Sequence, residues 1–289
     1  MNILSLFDGI SCGQLALKRA GISVNKYYAS EINPHSIKIT LKNFPNTICL
    51  GDVTKLIISK IETPIDCIIA GSPCENLSIT ACDRSNVYSG LAGQKSKLFF
   101  NFLNILKLVN PKYFMLENVA SMTEDNKKII SDMLNISPIL IDSADFSAQE
   151  RKRLYWTNIP IINFPNKNTL VLKDILETTV DSKYFYNKPF EIHPDKRVIA
   201  TLQVNTTEMC KRIYSPNYKC ATLTAVRGGY QEKKILLNDK VRKLTPIEYE
   251  RLQTLPDNYT EGISQGARYS SIGDGWTVDV IAHIFKGLK

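Results

Sequence analysis

The sequence predicts an α/β protein: a doubly wound, mostly parallel sheet followed by a smaller part rich in β structure. Three observations carry this. Short apolar runs alternate with helix-like segments through residues 2–156. Several of those runs end in a glycine or an acid, which is where an open parallel sheet places its working groups. From about Asn163 helical periodicity fades, and turn residues and short β-prone pieces take over.

In chain order, residues 2–7 make an apolar strand that runs into Asp8-Gly9-Ile10-Ser11-Cys12-Gly13. Residues 14–20 have helical composition, and Gly21 closes that helix. A second strand at 24–32 ends at Glu31, a helix follows at 34–44, and a third strand at 47–50 ends at Gly51-Asp52. Strand, glycine loop, helix and acid form a Rossmann-like order. In it the first loop meets a ligand through backbone N–H groups, an acid at the second strand tip suits ribose hydroxyls, and Asp52 suits an adenine. FDGISCG lacks the G-x-G-x-x-G spacing, so it also reads as a tight turn, and a dinucleotide oxidoreductase is disfavoured.

The apolar run 66–70 reads as a buried strand stopped by Gly71-Ser72-Pro73-Cys74-Glu75-Asn76. Cys74 is therefore a candidate nucleophile, although a lone free cysteine is more often packed in a core. The polar span 78–97 reads as a mobile lid beside the thiol, or as a disordered segment. Residues 98–109 show the spacing of a core helix, and strand 113–116 delivers Glu117 of Glu117-Asn118-Val119 to the same sheet edge as the thiol. A helix through 127–134 and a strand at 139–142 follow. Gln149-Glu150-Arg151-Lys152-Arg153 then precedes the aromatic strand 154–156, and either aims an arginine into the cleft or lies on a solvated face.

Beyond Asn163, β-prone pieces fall at 198–204 and 221–226. Thr222, Thr224, Arg227, Gly228 and Gly229 form the most suggestive recognition piece, since arginine reads guanine edges and glycine admits close backbone approach. An ordinary hairpin is the alternative. Thr245 and Pro246 open a helix, as N-cap and first residue, that continues to Gln253, and residues 276–288 read as an amphipathic helix.

Composition narrows the partners. The formal net charge is +8 over 289 residues, and residues 165–243 hold 15 Lys and Arg against 8 Asp and Glu, so a polyanion is expected to meet the chain there. Seven cysteines (12, 49, 67, 74, 82, 210, 220) without a CxxC pair argue for reduced thiols, with neither a disulfide framework nor a zinc site. No apolar run spans a bilayer and MNILSLFDG is not a leader, so the expected location is cytoplasmic, with no membrane partner.

Phe7-Asp8-Gly9, Glu31, Asp52, Pro73-Cys74, Glu117-Asn118-Val119, Arg151-x-Arg153, the run from Arg242 to Tyr259 and the terminal GDGWTVDVIAHIF resemble, in order, the motif series of the DNA cytosine-5 methyltransferases. FDGISCG, GSPCENLS and GWTVDVIAHIF are similar to the vertebrate de novo branch, whereas RLQTLPDNY resembles bacterial or phage members. Glu75 and Asp274 depart from many bacterial members, which carry Gln and Asn there.

The resemblance implies a class I methyltransferase fold, with a catalytic and cofactor-binding domain at 1–162, a target-recognition domain at 163–241, and a return to the catalytic domain at 242–289. It implies S-adenosylmethionine as cofactor, S-adenosylhomocysteine as product, no metal, and double-stranded DNA as substrate. Cys74, Glu117, Arg151 and Arg153 become the catalytic set. Cys74 adds to carbon 6 of a flipped cytosine, Glu117 bonds ring nitrogen 3, Arg153 holds the ring oxygen, and Arg151 supports the loop. Phe7, Asp8, Gly9, Ile10, Ser11, Cys12, Gly13, Glu31, Ile32, Asp52, Val53 and Trp276 become the cofactor-binding set, with Trp276 returning beside the first loop. A bacterial or phage setting follows, in which a cognate restriction enzyme is the possible protein partner. A transfer-RNA methyltransferase and a catalytically silent DNA-binding relative are the competing functions.

Overall fold

The computed structural model describes residues 1–72, 97–164 and 167–288. Cys74, Glu75 and the expected lid lie outside the described residues, apart from residue 97, which opens a helix. The chain divides into two compact units: Met1–Asp142 with Lys152–Phe164 and Val280–Lys289, and Ser143–Arg151 with Pro165–Asp279. By this division residues 143–151 and 242–279 group with the second unit, while the sequence boundaries fell at 162 and 241.

The first unit is built on β1 (Asn2–Leu6), α1 (Cys12–Arg19), β2 (Lys26–Ser30), α2 (Pro34–Asn43), β3 (Ile48–Cys49), β4 (Cys67–Gly71), α3 (Lys97–Val109), β5 (Tyr113–Val119), α4 (Glu124–Leu134), β6 (Ile139–Asp142) and β7 (Lys152–Thr157). The sheet order is β3-β2-β1-β4-β5-β7-β6, parallel from β3 to β5, with β7 antiparallel to both of its neighbours. Central strands covered on both faces must be apolar throughout, and Ile3, Leu4, Leu6, Cys67, Ile68, Ile69 and Ala70 are buried accordingly. Helix starts follow local chemistry: Asn33 accepts the His35 N–H at 2.9 Å ahead of Pro34, and Thr123 accepts the Asn126 N–H at 3.3 Å. Helix α3 presents Phe99, Phe102 and Ile105 to a core shared with Leu6, Ile68, Leu116 and Trp156.

The second unit contains β8 (Phe190–Ile192), β9 (Val198–Leu202), α5 (Glu208–Lys211), β10 (Arg212–Tyr214), β11 (Lys234–Leu237), β12 (Lys240–Lys243), α6 (Pro246–Leu252) and α7 (Gln265–Asp274). Its sheet runs β12-β11-β10-β9-β8 over a core of Ala200, Leu202, Ile213 and Val241. The Thr245 side chain accepts the Glu248 N–H at 3.2 Å while the Glu248 carboxylate accepts the Thr245 N–H at 2.8 Å, so α6 starts where the sequence placed it. The β-prone piece 221–226 is no strand; it lies as irregular chain. The last helix, α8 (Val278–Phe285), is shorter than the expected 276–288.

Candidate active site

The strand registers bring the motif residues to one edge of the first unit's sheet. Leu6 lies opposite Ser30 of β2 and Ala70 of β4, Ala29 opposite Cys49, and Gly71 opposite Glu117. The chain after β1, Glu31, Gly51-Asp52, Ser72 and Glu117 therefore all stand at the carboxyl ends of parallel strands, where doubly wound sheets bind ligands.

The first loop turns through Phe7, Gly9 and Ser11, all at positive φ. Glu31 holds it: Oε2 accepts the Gly9 N–H at 2.8 Å, while Oε1 accepts the N–H groups of Ile32 and Asn33 at 2.7 Å each. A side chain is strained at the Gly9 φ of 59°, yet an added Cβ meets nothing within 4 Å, so the space before the loop is open to a ligand. Ile10, Ser11, Cys12 and Gly13 are buried, which leaves backbone as the loop's offering; Phe7 packs partly against the core. Ile32 stands 71% exposed beside Glu31. The Asp52 carboxylate takes the Thr54 N–H at 2.9 Å and its hydroxyl at 2.8 Å, bonds that hold it below the usual carboxylate range, and Val53 beside it is buried. A small cleft at this edge is lined by Asp8, Ala29, Glu31, Ile37, Thr40 and Cys49.

Asp8 faces inward. It accepts the Tyr27 hydroxyl at 2.7 Å and the Ser11 hydroxyl, and burial pushes its carboxyl up to about 6, with the nearby Glu31 charge adding to the shift. Thr40 donates to Ser11 Oγ at 3.1 Å, so Asp8 anchors the left-handed Ser11 rather than standing alone at the mouth of the cleft.

At the other side of the sheet edge, Glu117 lies opposite Tyr155 of antiparallel β7. Arg153, two residues away on the same face of β7, is its diagonal neighbour. Arg153 Nε meets Glu117 Oε1 at 2.9 Å, with both side chains largely buried at 14% and 10% exposure. Next to it, Asn118 donates through Nδ2 to Ser72 Oγ at 2.9 Å, and both residues are buried. Ser72 stands two residues before Cys74 in the chain.

Arg151 lies in the second unit, 4% exposed, and donates to the carbonyls of Leu223 at 2.8 Å, Gly275 at 3.0 Å and Gly273 at 3.2 Å. Within the same unit Thr222 Oγ1 donates to the Glu150 carbonyl at 2.8 Å, while Thr224, Arg227, Gly228 and Gly229 are exposed. The Arg227 N–H donates to Gln231 Oε1 at 2.7 Å, and the chain turns at Gly228 and Gly229. Trp276, half-buried, also belongs to the second unit.

Sequence reasoning missed Tyr27 and Thr40 as loop anchors, Asn118 as the tie to Ser72, and Gln149, whose Oε1 accepts the Leu223 N–H at 2.8 Å. Asn118 and Gln149 were adjacent to assigned motifs and open to notice; nothing local marks Tyr27 or Thr40.

The strand order is that of a doubly wound sheet, with the acids of the β2 and β3 tips and the Glu–Arg pair of β5 and β7 at its ligand edge, and solved methyltransferases share this class I fold. The model of the C-5 cytosine-specific DNA methylase family matches residues 1–289, and the chain belongs to that family. It is similar to the orphan methyltransferase M.SPBetaI of Bacillus phage SPbeta, at 23% identity over 100% of this chain and 97% of the relative. It is likewise similar to the type II methyltransferase M.HhaI of Haemophilus parahaemolyticus, at 27% identity over 98% of this chain and 93% of the relative. Among solved structures, the Entamoeba histolytica methyltransferase EhMeth shares the fold with a TM-score of 0.75 and 19% identity, covering 100% of this chain and 99% of that one. The S. pombe Dnmt2 methyltransferase does so with a TM-score of 0.70 and 18% identity, at 100% and 99% coverage. The chain is thus a methyltransferase enzyme, and family membership implies S-adenosylmethionine as its methyl donor. Among the described residues, no helix is long and apolar enough to cross a membrane and no group of three or more potential ligands could hold a metal.

Proposed function

We propose that the chain methylates carbon 5 of cytosine within a specific double-stranded DNA sequence, through a covalent cysteine adduct on a base flipped out of the helix. The observation that carries this is the Glu117–Arg153 pair at 2.9 Å, on the strand whose neighbour β4 ends at Gly71, three residues before Cys74.

Cytosine carbon 5 is a weak nucleophile, so the ring must first be activated. The Cys74 thiolate adds at carbon 6. Glu117, as proton donor to ring nitrogen 3, stabilises the electron density that thiolate addition pushes onto that nitrogen. Arg153 fixes Glu117 and donates to the ring oxygen, countering developing negative charge. S-adenosylmethionine supplies an electrophilic sulfonium methyl group. Loss of the carbon 5 proton then allows the carbon–sulfur bond to break and Cys74 to leave.

The residues at the first loop fit that cofactor, which has a ribose diol and a purine amine but no phosphate. Glu31 keeps acceptor capacity on Oε2 for the ribose, Asp52 suits the adenine amine, Ile32 offers an apolar face, and the 7–13 loop offers backbone beside an open space. Thr222, Thr224, Arg227, Gly228 and Gly229 read the duplex, and residues 163–241 form the target-recognition domain. Carbon 6 is shielded in a stacked duplex, which is why the base must leave it. The type II relatives support a bacterial setting with a cognate restriction enzyme as partner, and the orphan relative from Bacillus phage SPbeta supports a phage setting without one; in either, the substrate is a duplex in the cytoplasm.

The test is methyl transfer from labelled cofactor to duplex DNA and to transfer RNA, followed by sequencing of modified cytosines. Label in duplex DNA at one short sequence is the expected result. Label confined to transfer RNA would move the substrate to RNA, and no label in either would leave a silent relative.

A further inference from the structure

Residues 222–227 are held without strand pairing. Both backbone polar groups of Leu223 are captured by side chains: its N–H donates to Gln149 Oε1 at 2.8 Å, and its carbonyl accepts from Arg151 at 2.8 Å. Gln149, fully buried, also donates to the Leu252 carbonyl and to Gln253 Oε1, each at 3.1 Å. Gln253 Nε2 in turn donates to the carbonyls of Ile272 at 3.0 Å and Gly275 at 2.9 Å, the latter also held by Arg151. One buried polar hub therefore ties this segment to α6 and α7.

Gly273 completes the clamp. A Cβ there would stand 2.2 Å from the Thr224 carbonyl oxygen and 2.6 Å from the Ala225 nitrogen, so α7 approaches this segment as closely as backbone allows. The side chains facing solvent, Thr224 and Arg227, thus sit on chain whose shape is set from beneath.

We propose that Arg151 and Gln149 are positioning residues for sequence choice: they hold residues 222–227 in the shape that reads the target duplex, and act through that segment rather than at the reacting base. The inference rests on the proposed methylation of duplex DNA. A guanidinium suits the role because its planar fork reaches three carbonyls at once, which a lysine ammonium cannot do in the same geometry. Substituting lysine keeps the positive charge and loses the fork, separating an electrostatic contribution to catalysis from a clamp.

The experiment compares the unaltered chain with Arg151→Lys and Gly273→Ala, measuring kcat, KM for duplex DNA, and the sequence contexts methylated in a mixed-sequence DNA pool. Thermal unfolding is recorded beside them. Arg151→Lys is expected to raise KM for the duplex about tenfold and to spread methylation to secondary sites, a larger change than in kcat, as loss of a buried hydrogen bond implies. Gly273→Ala displaces Thr224 with Arg151 intact and is expected to reproduce the relaxed site choice. A fall in kcat with KM and site choice unchanged in Arg151→Lys overturns the inference, as does unaltered site choice in folded Gly273→Ala. Should Arg151→Lys fail to fold, Gly273→Ala decides alone. If the unaltered chain leaves duplex DNA unmethylated, the functional proposal itself fails, which is a distinct result.

Discussion

Glu117 is aimed by two strands rather than by a loop, since its ion pair joins diagonal neighbours of β5 and β7. Such an acid keeps its direction when the surrounding chain moves, which proton donation to a bound ring requires. Glu117→Gln is expected to lower kcat by about a hundredfold or more while altering KM for DNA little, measured in steady state. Asp8 yields a prediction of a different kind. Its folded carboxyl titrates at about 6, above the unfolded 3.8, so the folded state holds the proton more tightly between those values. Stability from this group is present at low pH and is lost as pH rises through about 6. The difference in thermal stability between the unaltered chain and Asp8→Asn should therefore shift in the variant's favour from pH 5 to pH 7; a pH-independent difference would contradict the buried-carboxylate account. At this scale the sequence was legible in position: Glu31 and Asp52 stand just past β2 and β3 as expected, and Glu117 stands near the end of β5, which runs on to Val119 rather than stopping at 116. Tyr27 and Gly273 were not, because an aromatic on a strand and a glycine in a helix announce nothing until their neighbours are in place.

Elements with strong local signals could be read in advance. The Thr245–Glu248 capping box starts α6 as its sequence demands, and the apolar runs of β1 and β4 are buried as parallel strands must be. Strands β8 and β10–β12 and helix α7 escaped notice, since short half-buried strands and a helix with a weak apolar stripe carry little periodicity. The 221–226 piece shows the opposite error. Its β-prone composition is overridden because Gln149 and Arg151 satisfy the backbone polar groups of Leu223 in place of a neighbouring strand. Two predictions belong here. Arg242, 2% exposed, makes a two-pronged pair with the fully buried Glu248 at 2.7 and 2.6 Å, so Arg242→Ala strands a buried carboxylate and should cost about 3–5 kcal/mol in denaturant unfolding. Arg227→Ala should alter which cytosines are methylated, read by sequencing modified DNA; an unchanged pattern would remove Arg227 from recognition.

Across the whole molecule, charge and chemistry divide along the chain. Thirty-six basic residues against twenty-eight acidic ones leave an excess of eight, most of it within 165–243, so duplex affinity should be strongly salt-dependent. Affinity is expected to fall about a hundredfold or more between ~50 mM and ~200 mM salt, measured by titration of a labelled duplex. The central claim, however, concerns a carbon–sulfur bond. Once carbon 5 has been methylated, Cys74 can leave the ring only when the hydrogen on that carbon is lost, and a fluorine in its place cannot depart as a proton. Incubating the protein with S-adenosylmethionine and a duplex bearing 5-fluorocytosine at the methylated position, then mapping any denaturant-stable protein–DNA adduct by mass spectrometry, tests this directly. The account predicts an adduct on Cys74 that is absent in Cys74→Ala; an adduct on another residue, or continued methylation of ordinary DNA by Cys74→Ala, would contradict it.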